Sequence, residues 1–216
     1  TGCKITCRIM NELIKNIKAK KFKQEGDIKN WLKIQTFLTD NDLSFEPVVA
    51  CGKNAAVPHY NGNNRLQKGF IIIDYGLRYK GYCTDMTRTL YLGTPTKKDV
   101  ELYNLILKCQ TETIDFIANN YHNGVTGTQA FNYACSILGK HSRYFIHSLG
   151  HGIGVKVHEL PTLSSNPADK LIKGTVFTVE PGYYNGLGIR IEDDIYLGHH
   201  LEVLTKCVPK KLIIVK

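Results

Sequence analysis

Two strand-like runs in this chain each carry an acid that a buried strand has no use for. In FIIIDYGLRYKGYCTDMTRTLYL (70–92), Asp74 ends one apolar run and Asp85 sits at the start of the next. Side chains alternate faces along a strand. A tight turn at Tyr79–Lys80, with Gly81 beside it, sets Asp74 directly opposite Asp85 across an antiparallel pair. Like charges at that distance are costly unless a proton or a cation lies between them. Two exposed acids near a hairpin end are the alternative.

The pattern returns in TVFTVEPGYYNGLGIRIEDDIYL (175–197). Glu180 and Glu192 flank a glycine-rich turn centred on Gly186, and a tight turn there makes them face each other. Pro181 interrupts the ladder just after Glu180. Ile189, Ile191 and Ile195 share one face, and Arg190, Glu192 and Asp194 share the other. A polar inner row needs partners, and a metal supplies them; a solvated sheet face is the other reading.

Between the two acidic pairs lies HSLGHGIGVKVHELP (147–161), with three histidines. Gly150, Gly152 and Gly154 disfavour a helix, and an extended stretch puts His147 and His151 on one side. The glycine spacing resembles a phosphate loop, but no helix follows it and VKVHELP reads as a strand, so that reading is set aside. Three histidines in glycine-rich chain beside two acidic pairs point to a site.

The length of 216 residues fits one domain with a real core. No apolar run reaches membrane-spanning length. The opening TGCKITCRIM has neither an initiator Met nor the apolar segment of a signal peptide, and reads as a processed piece whose N-terminal domain is absent. Seven scattered cysteines without a CxxC read as reduced thiols of a cytoplasmic protein. The formal charge of +9 raises a nucleic-acid partner. Lysine dominates over arginine, however, and only KNIKAKKFK (15–23) is dense, which reads as a solvated helix face. Neither a nucleic acid nor a membrane is expected as a partner.

Apolar spacing predicts helices over 4–22 and 25–39. Thr96, with Asp99 three positions on, caps a helix from Lys97 to about Tyr121, and another helix spans 127–139. Strands are expected at 44–52, 69–76, 82–92, 143–149, 154–158, 175–180, 188–197 and 211–215. Many look hairpin-connected, which favours α+β over a doubly wound parallel sheet.

Four carboxylates and one imidazole form a hard, oxygen-rich set. It suits a pair of divalent ions better than it suits a thiolate zinc site. Mn is expected first, with Co, Fe or Zn as alternatives.

The segments DYGLRYKGYCTDMTRTLYLG, SLGHGIGVKVHELP, TVEPGYY and GIRIEDDIYL resemble the metal-binding segments of the pita-bread metallopeptidases, nearest the Xaa-Pro dipeptidases (prolidases) and aminopeptidase P. The resemblance covers the chain from about residue 4, in the family's order. It implies an α+β pita-bread fold: a curved antiparallel sheet flanked by helices, in two pseudo-symmetric halves, with 1–216 as a single catalytic domain. It implies that Asp85 and Glu192 bridge two ions, that Asp74 binds one, and that His151 and Glu180 bind the other. His59, His147 and Arg190 match substrate-facing residues. His158, Glu180 and His147 match groups that move protons or stabilise the tetrahedral intermediate.

The function so implied is hydrolysis of the Xaa-Pro bond at the N-terminus of peptides or dipeptides by a metal-activated hydroxide. A methionine aminopeptidase and a non-catalytic binding module on the same fold remain alternatives. A peptide substrate is the expected partner, and a homodimer is left open.

Overall fold

The computed structural model describes residues 1–166 and 170–216. Helix α1 (Gly2–Lys18) buries Cys7, Met10, Leu13, Ile14 and Ile17, spaced three or four apart on one face. It stops earlier than its periodicity suggests. Lys20 takes a φ of 55° and turns the chain away, so the lysine cluster straddles a helix end and a turn. Helix α2 (Glu25–Phe37) starts at a Gln24–Asp27 capping box.

Strands β1 (Asp42–Leu43), β2 (Val48–Cys51), β3 (Gly69–Asp74), β4 (Leu77–Tyr79), β5 (Tyr82–Cys83) and β6 (Thr87–Leu92) follow. Helix α3 (Lys97–Asn120) opens on the expected box, with Thr96 Oγ1 accepting from the Asp99 amide. Helix α4 (Gly127–Leu138) leads to β7 (Gly150–Gly152), β8 (Glu159–Leu163), β9 (Val176–Val179), β10 (Gly182–Tyr184), β11 (Gly188–Arg190), β12 (Asp193–Leu197), β13 (Leu201–Val203) and β14 (Ile213–Val215).

The halves repeat one plan. In the first, α1 and α2 precede the adjacent antiparallel strands β2, β3 and β6. In the second, α3 and α4 precede β7, β9 and β12, again adjacent and antiparallel. The β3–β6 pair is prolonged by the small hairpin β4–β5, and the β9–β12 pair by β10–β11. One parallel pairing, β14 on β6, departs from the antiparallel rule.

Each half has its own apolar core under its helices. Met10, Leu13, Ile28, Leu32, Ile71 and Ile73 fill the first. Tyr103, Ile106, Ile114, Ile117, Phe177 and Val179 belong to the second. Each fully buried side chain of this kind contributes ~1.5–3 kcal/mol. Ile71 and Ile73 face the helices, so Ile72 and Asp74 face the other way, toward the second half. Alternation thus delivers the acid to the inner face.

Three sequence expectations are corrected here. Residues 143–149 are not a strand, because Gly139–Tyr144 forms a 3-10 helix. Residues 154–158 are a chain of bends rather than a strand, because the Glu159 carboxylate takes the Lys156 amide and closes the loop on itself. Cys7 and Cys207 are joined as a disulfide with Cα atoms 6.1 Å apart, and five cysteines are free. The fold alone brings that pair together across most of the chain. Among the described residues no helix is long and apolar enough to cross a membrane.

Candidate metal centre

The first acidic pair is set by a turn. Asp74 lies opposite Thr87, and Tyr79 lies opposite Tyr82. The turn is therefore Lys80–Gly81, with φ of 49° and 88°. Two positive φ values make the type I′ turn that matches hairpin twist. The sequence reading centred the turn one residue earlier and put Asp85 directly across from Asp74. The true register moves Asp85 two places along, which keeps it on the same face as a diagonal neighbour.

The second pair follows its expected register. Gly182 lies opposite Arg190, and Val179 opposite Asp193. Both pairings place Glu180 across from Glu192, while Pro181 separates β9 from β10.

His151 comes from β7. Its Nδ1 lies 3.1 Å from the Gly152 carbonyl, which only accepts, so Nδ1 carries the proton. The bare Nε2 faces the acids, 3.4 Å from Glu180 Oε1 and 3.7 Å from Asp85 Oδ2. Burial lowers its pKa and favours this neutral form.

A second chain of hydrogen bonds supports the acids. Arg190 Nη2 lies 2.6 Å from Asp74 Oδ2, Nε donates to Thr87 Oγ1 at 3.1 Å, and Nη1 donates to the Tyr184 hydroxyl at 2.9 Å. Thr87 in turn donates to Glu192 Oε2 at 2.6 Å. The Tyr184 hydroxyl lies 3.0 Å from His147 Nε2, and His147 Nδ1 lies 2.8 Å from the Ser148 carbonyl. A guanidinium only donates and a carbonyl only accepts, so Tyr184 donates to Nε2 and His147 holds its proton on Nδ1. Burial and the nearby Arg190 charge push His147 down to about 3.

The carboxylates respond in the opposite sense. Burial, then Glu192 and Asp74, raise Asp85 well above the usual range. Burial, then Glu180 and Asp74, do the same to Glu192. Glu180 is pushed up to about 7 by burial, with the Asp74 charge adding to the rise. Arg190 is the cation that reaches these acids, and its bond to Asp74 does not offset the burial of Asp85, Glu180 and Glu192. Among the described residues, Asp74 Oδ1 and Asp85 Oδ1 are buried without a hydrogen-bond partner. One ligand atom each from Asp85, His151 and Glu192 falls within 4.8 Å of the others. Orphaned carboxylate oxygens around an aimed imidazole lone pair fit divalent cations.

All nine residues singled out from the sequence line one cleft of about 450 Å³: Asp74, Asp85, His151, Glu180 and Glu192 at its floor, with His59, His147, His158 and Arg190. Phe45, Val48 and Pro58 add apolar wall. His158 is exposed, its ring centroid 4.3 Å from that of His151.

Sequence reasoning missed the supporting residues. Thr178 accepts the His151 amide and donates to Glu180 Oε1, both at 3.2 Å. Asp194 Oδ2 accepts the Asp85 amide at 3.1 Å. Arg88 donates to the Glu192 carbonyl at 2.6 Å and pairs with Asp193 at 2.7 Å. The hydroxyls on the acids' face, at Thr87 and Thr178, were the available signal, because a polar residue on a buried face needs a partner.

The model of metallopeptidase family M24 matches residues 1–199. This chain belongs to metallopeptidase family M24. An uncharacterized peptidase of Staphylococcus epidermidis is 40% identical to the M24 chain over 173 residues, which is 77% of this chain and 48% of that protein. The chain thus spans about half the length of the curated relatives it matches. A prolidase from Thermococcus sibiricus superposes with TM-score 0.89 at 32% identity, over 99% of this chain and 59% of that one. An X-Pro aminopeptidase from Thermotoga maritima gives 0.88 at 32% identity, over 99% and 61%. These matches establish the α+β pita-bread fold for the M24 chain.

Proposed function

We propose that residues 1–216 form a catalytic domain that hydrolyses the Xaa-Pro bond at the N-terminus of peptides with the help of two divalent metal ions, Mn first. The convergence of five ligand-type side chains, with two carboxylate oxygens left orphaned, carries this reading. The likeness to a prolidase and an X-Pro aminopeptidase supports the proline preference.

Asp74, Asp85, His151, Glu180 and Glu192 would hold the ions. Bound there, divalent ions supply an acidified water and a polarised carbonyl. The protein does the rest. Arg190 and Thr87 fix the rotamers of Asp74 and Glu192. Glu180, with Oε1 toward His151 and Oε2 3.8 Å from His147 Nδ1, is placed to carry a proton to the leaving amine. His158, at the open side of the cleft, is placed to donate to the oxyanion. Phe45 and Val48 offer an apolar wall to the proline ring.

The cleft favours peptides over dipeptides. A dipeptide presents a free carboxylate beside the scissile bond, which calls for a cation. Among the described residues Arg190 is the one lysine or arginine lining the cleft. It is engaged by Asp74, Thr87 and Tyr184, and this favours support of the acids over binding of substrate.

Metal dependence tests the reading. Chelator-treated protein is titrated with Mn²⁺ in a calorimeter and assayed on Ala-Pro-Ala. Two ions per chain and turnover that returns with them are expected. Equal turnover after chelation, or fewer than two ions bound, overturns it.

A further inference from the structure

The loop that carries His158 has little of its own to hold it. Residues 153–158 link β7 to β8; Ile153 is buried at the stem, but Val155, Lys156 and His158 are exposed, so apolar burial does not fix the outer part. Inside the loop, the Gly154 amide donates to Lys156 O at 3.0 Å and the Lys156 amide donates to Glu159 Oε1 at 2.7 Å. These bonds shape the loop but do not anchor it. At its stem the Ile153 amide donates to Val176 O at 3.0 Å.

The His158 ring also lies against His151 of its own half, and further hydrogen bonds come from the other half of the fold. The Cys83 amide donates to Gly154 O at 2.7 Å, and Cys83 Sγ reaches Val155 O at 3.5 Å. Arg78 Nη1 donates to Val155 O at 2.6 Å and to Gly81 O at 3.2 Å. The Lys80–Gly81 turn therefore presents a carbonyl that pre-aims the guanidinium, and the guanidinium grips the loop three residues before His158. A charge-assisted bond of this kind is roughly twice as strong as a neutral one.

We infer that Arg78 is a positioning residue for His158, pinning a loop of the second half from the hairpin tip of the first. The role rests on the proposed peptidase function. Without Arg78 the loop keeps its stem and the Cys83 contacts at Gly154 and Val155 but loses its charged tether and samples wider positions for His158, and a misplacement of about 1 Å in a catalytic group costs up to ~10²-fold in rate.

Two arms test it on the full chain. In hydrogen–deuterium exchange, Arg78→Met should speed exchange in 153–160 about tenfold, the effect of losing one such bond, while the cores keep their protection. On Ala-Pro-Ala, Arg78→Met should lower kcat about tenfold with KM within about twofold. Arg78→Lys should recover part of the loss. In a His158→Ala background, Arg78→Met should cost nothing further. Unchanged exchange in 153–160 overturns the inference, as does faster exchange with kcat unaltered, or a full additional loss in the His158→Ala background. A wild-type protein inert on Xaa-Pro peptides sinks the proposed function instead, and the exchange arm still decides whether Arg78 pins the loop.

Discussion

Arg190 reaches from β11 across the seam between the halves and donates to Asp74 at the end of β3, Nη2 to Oδ2 at 2.6 Å. The second acidic hairpin thereby orients an acid of the first. That bond leaves Asp74 Oδ1 buried and, among the described residues, without a hydrogen-bond partner. Arg190→Lys cannot keep Asp74, Thr87 and Tyr184 together, because an ammonium lacks the planar fork. Mn²⁺ affinity should fall ~10–100-fold, as for other groups that orient ligands. Calorimetric titration checks it, and wild-type affinity in the variant contradicts the role.

Tyr184 holds the second ring nitrogen of His147. Tyr184→Phe removes the donor to Nε2 and leaves the ring held through Nδ1 by the Ser148 carbonyl, less firmly oriented. We expect kcat to fall ~10–100-fold with two Mn²⁺ ions still bound. A variant that loses an ion would make Tyr184 a support of the acids alone.

Much of this site was legible in the sequence because period-two alternation is robust. The first hairpin's turn was misplaced by one residue, which shifts register by two and so preserves the face. Asp74 and Asp85 therefore stay together despite the error. The second hairpin was read in register because Gly186, with φ of 68°, marks its turn. The misread strand at 143–149 starts inside the Gly139–Tyr144 3-10 helix, and the one at 154–158 lies where a side chain competes with the ladder. Glu159 captures an amide there, and no local propensity registers that. Arg88 meets Asp193, Tyr184 meets His147 and Asp194 meets the Asp85 amide across long stretches of chain, and the polar row that contains Asp194 does not name those partners. The Cys7–Cys207 pair was hidden for the same reason.

Glu180 makes the metal-free protein sensitive to pH. Its pKa is raised from 4.5 to about 7, first by burial. A carboxyl raised on folding contributes stability that is fully present below the unfolded value and is lost as pH rises through the folded one. Metal-free Glu180→Gln escapes that loss. Its Tm should gain on wild type progressively between pH 4.5 and about 7. A difference that is constant or shrinks over that range contradicts the assignment.

Arg88 stabilises the back of the site. It is 2% exposed, and besides Asp193 it donates to the Thr205 and Val208 carbonyls. Arg88→Met leaves the buried Asp193 carboxylate to Lys210, Gln110 and Thr205, and losing the arginine costs up to ~3–5 kcal/mol. Urea unfolding measures this, and a loss below about 1 kcal/mol, the scale of an exposed pair, would contradict the buried-pair account.

Cleavage rates on three peptides with Mn²⁺ present decide whether the cleft takes Xaa-Pro peptides. Efficient release of the N-terminal residue from Ala-Pro-Ala is expected, with slower cleavage of Ala-Pro and little of Met-Ala-Ser. Efficient cleavage of Ala-Pro with none of Ala-Pro-Ala would contradict the preference for longer peptides. Preference for Met-Ala-Ser over both would contradict the Xaa-Pro assignment itself.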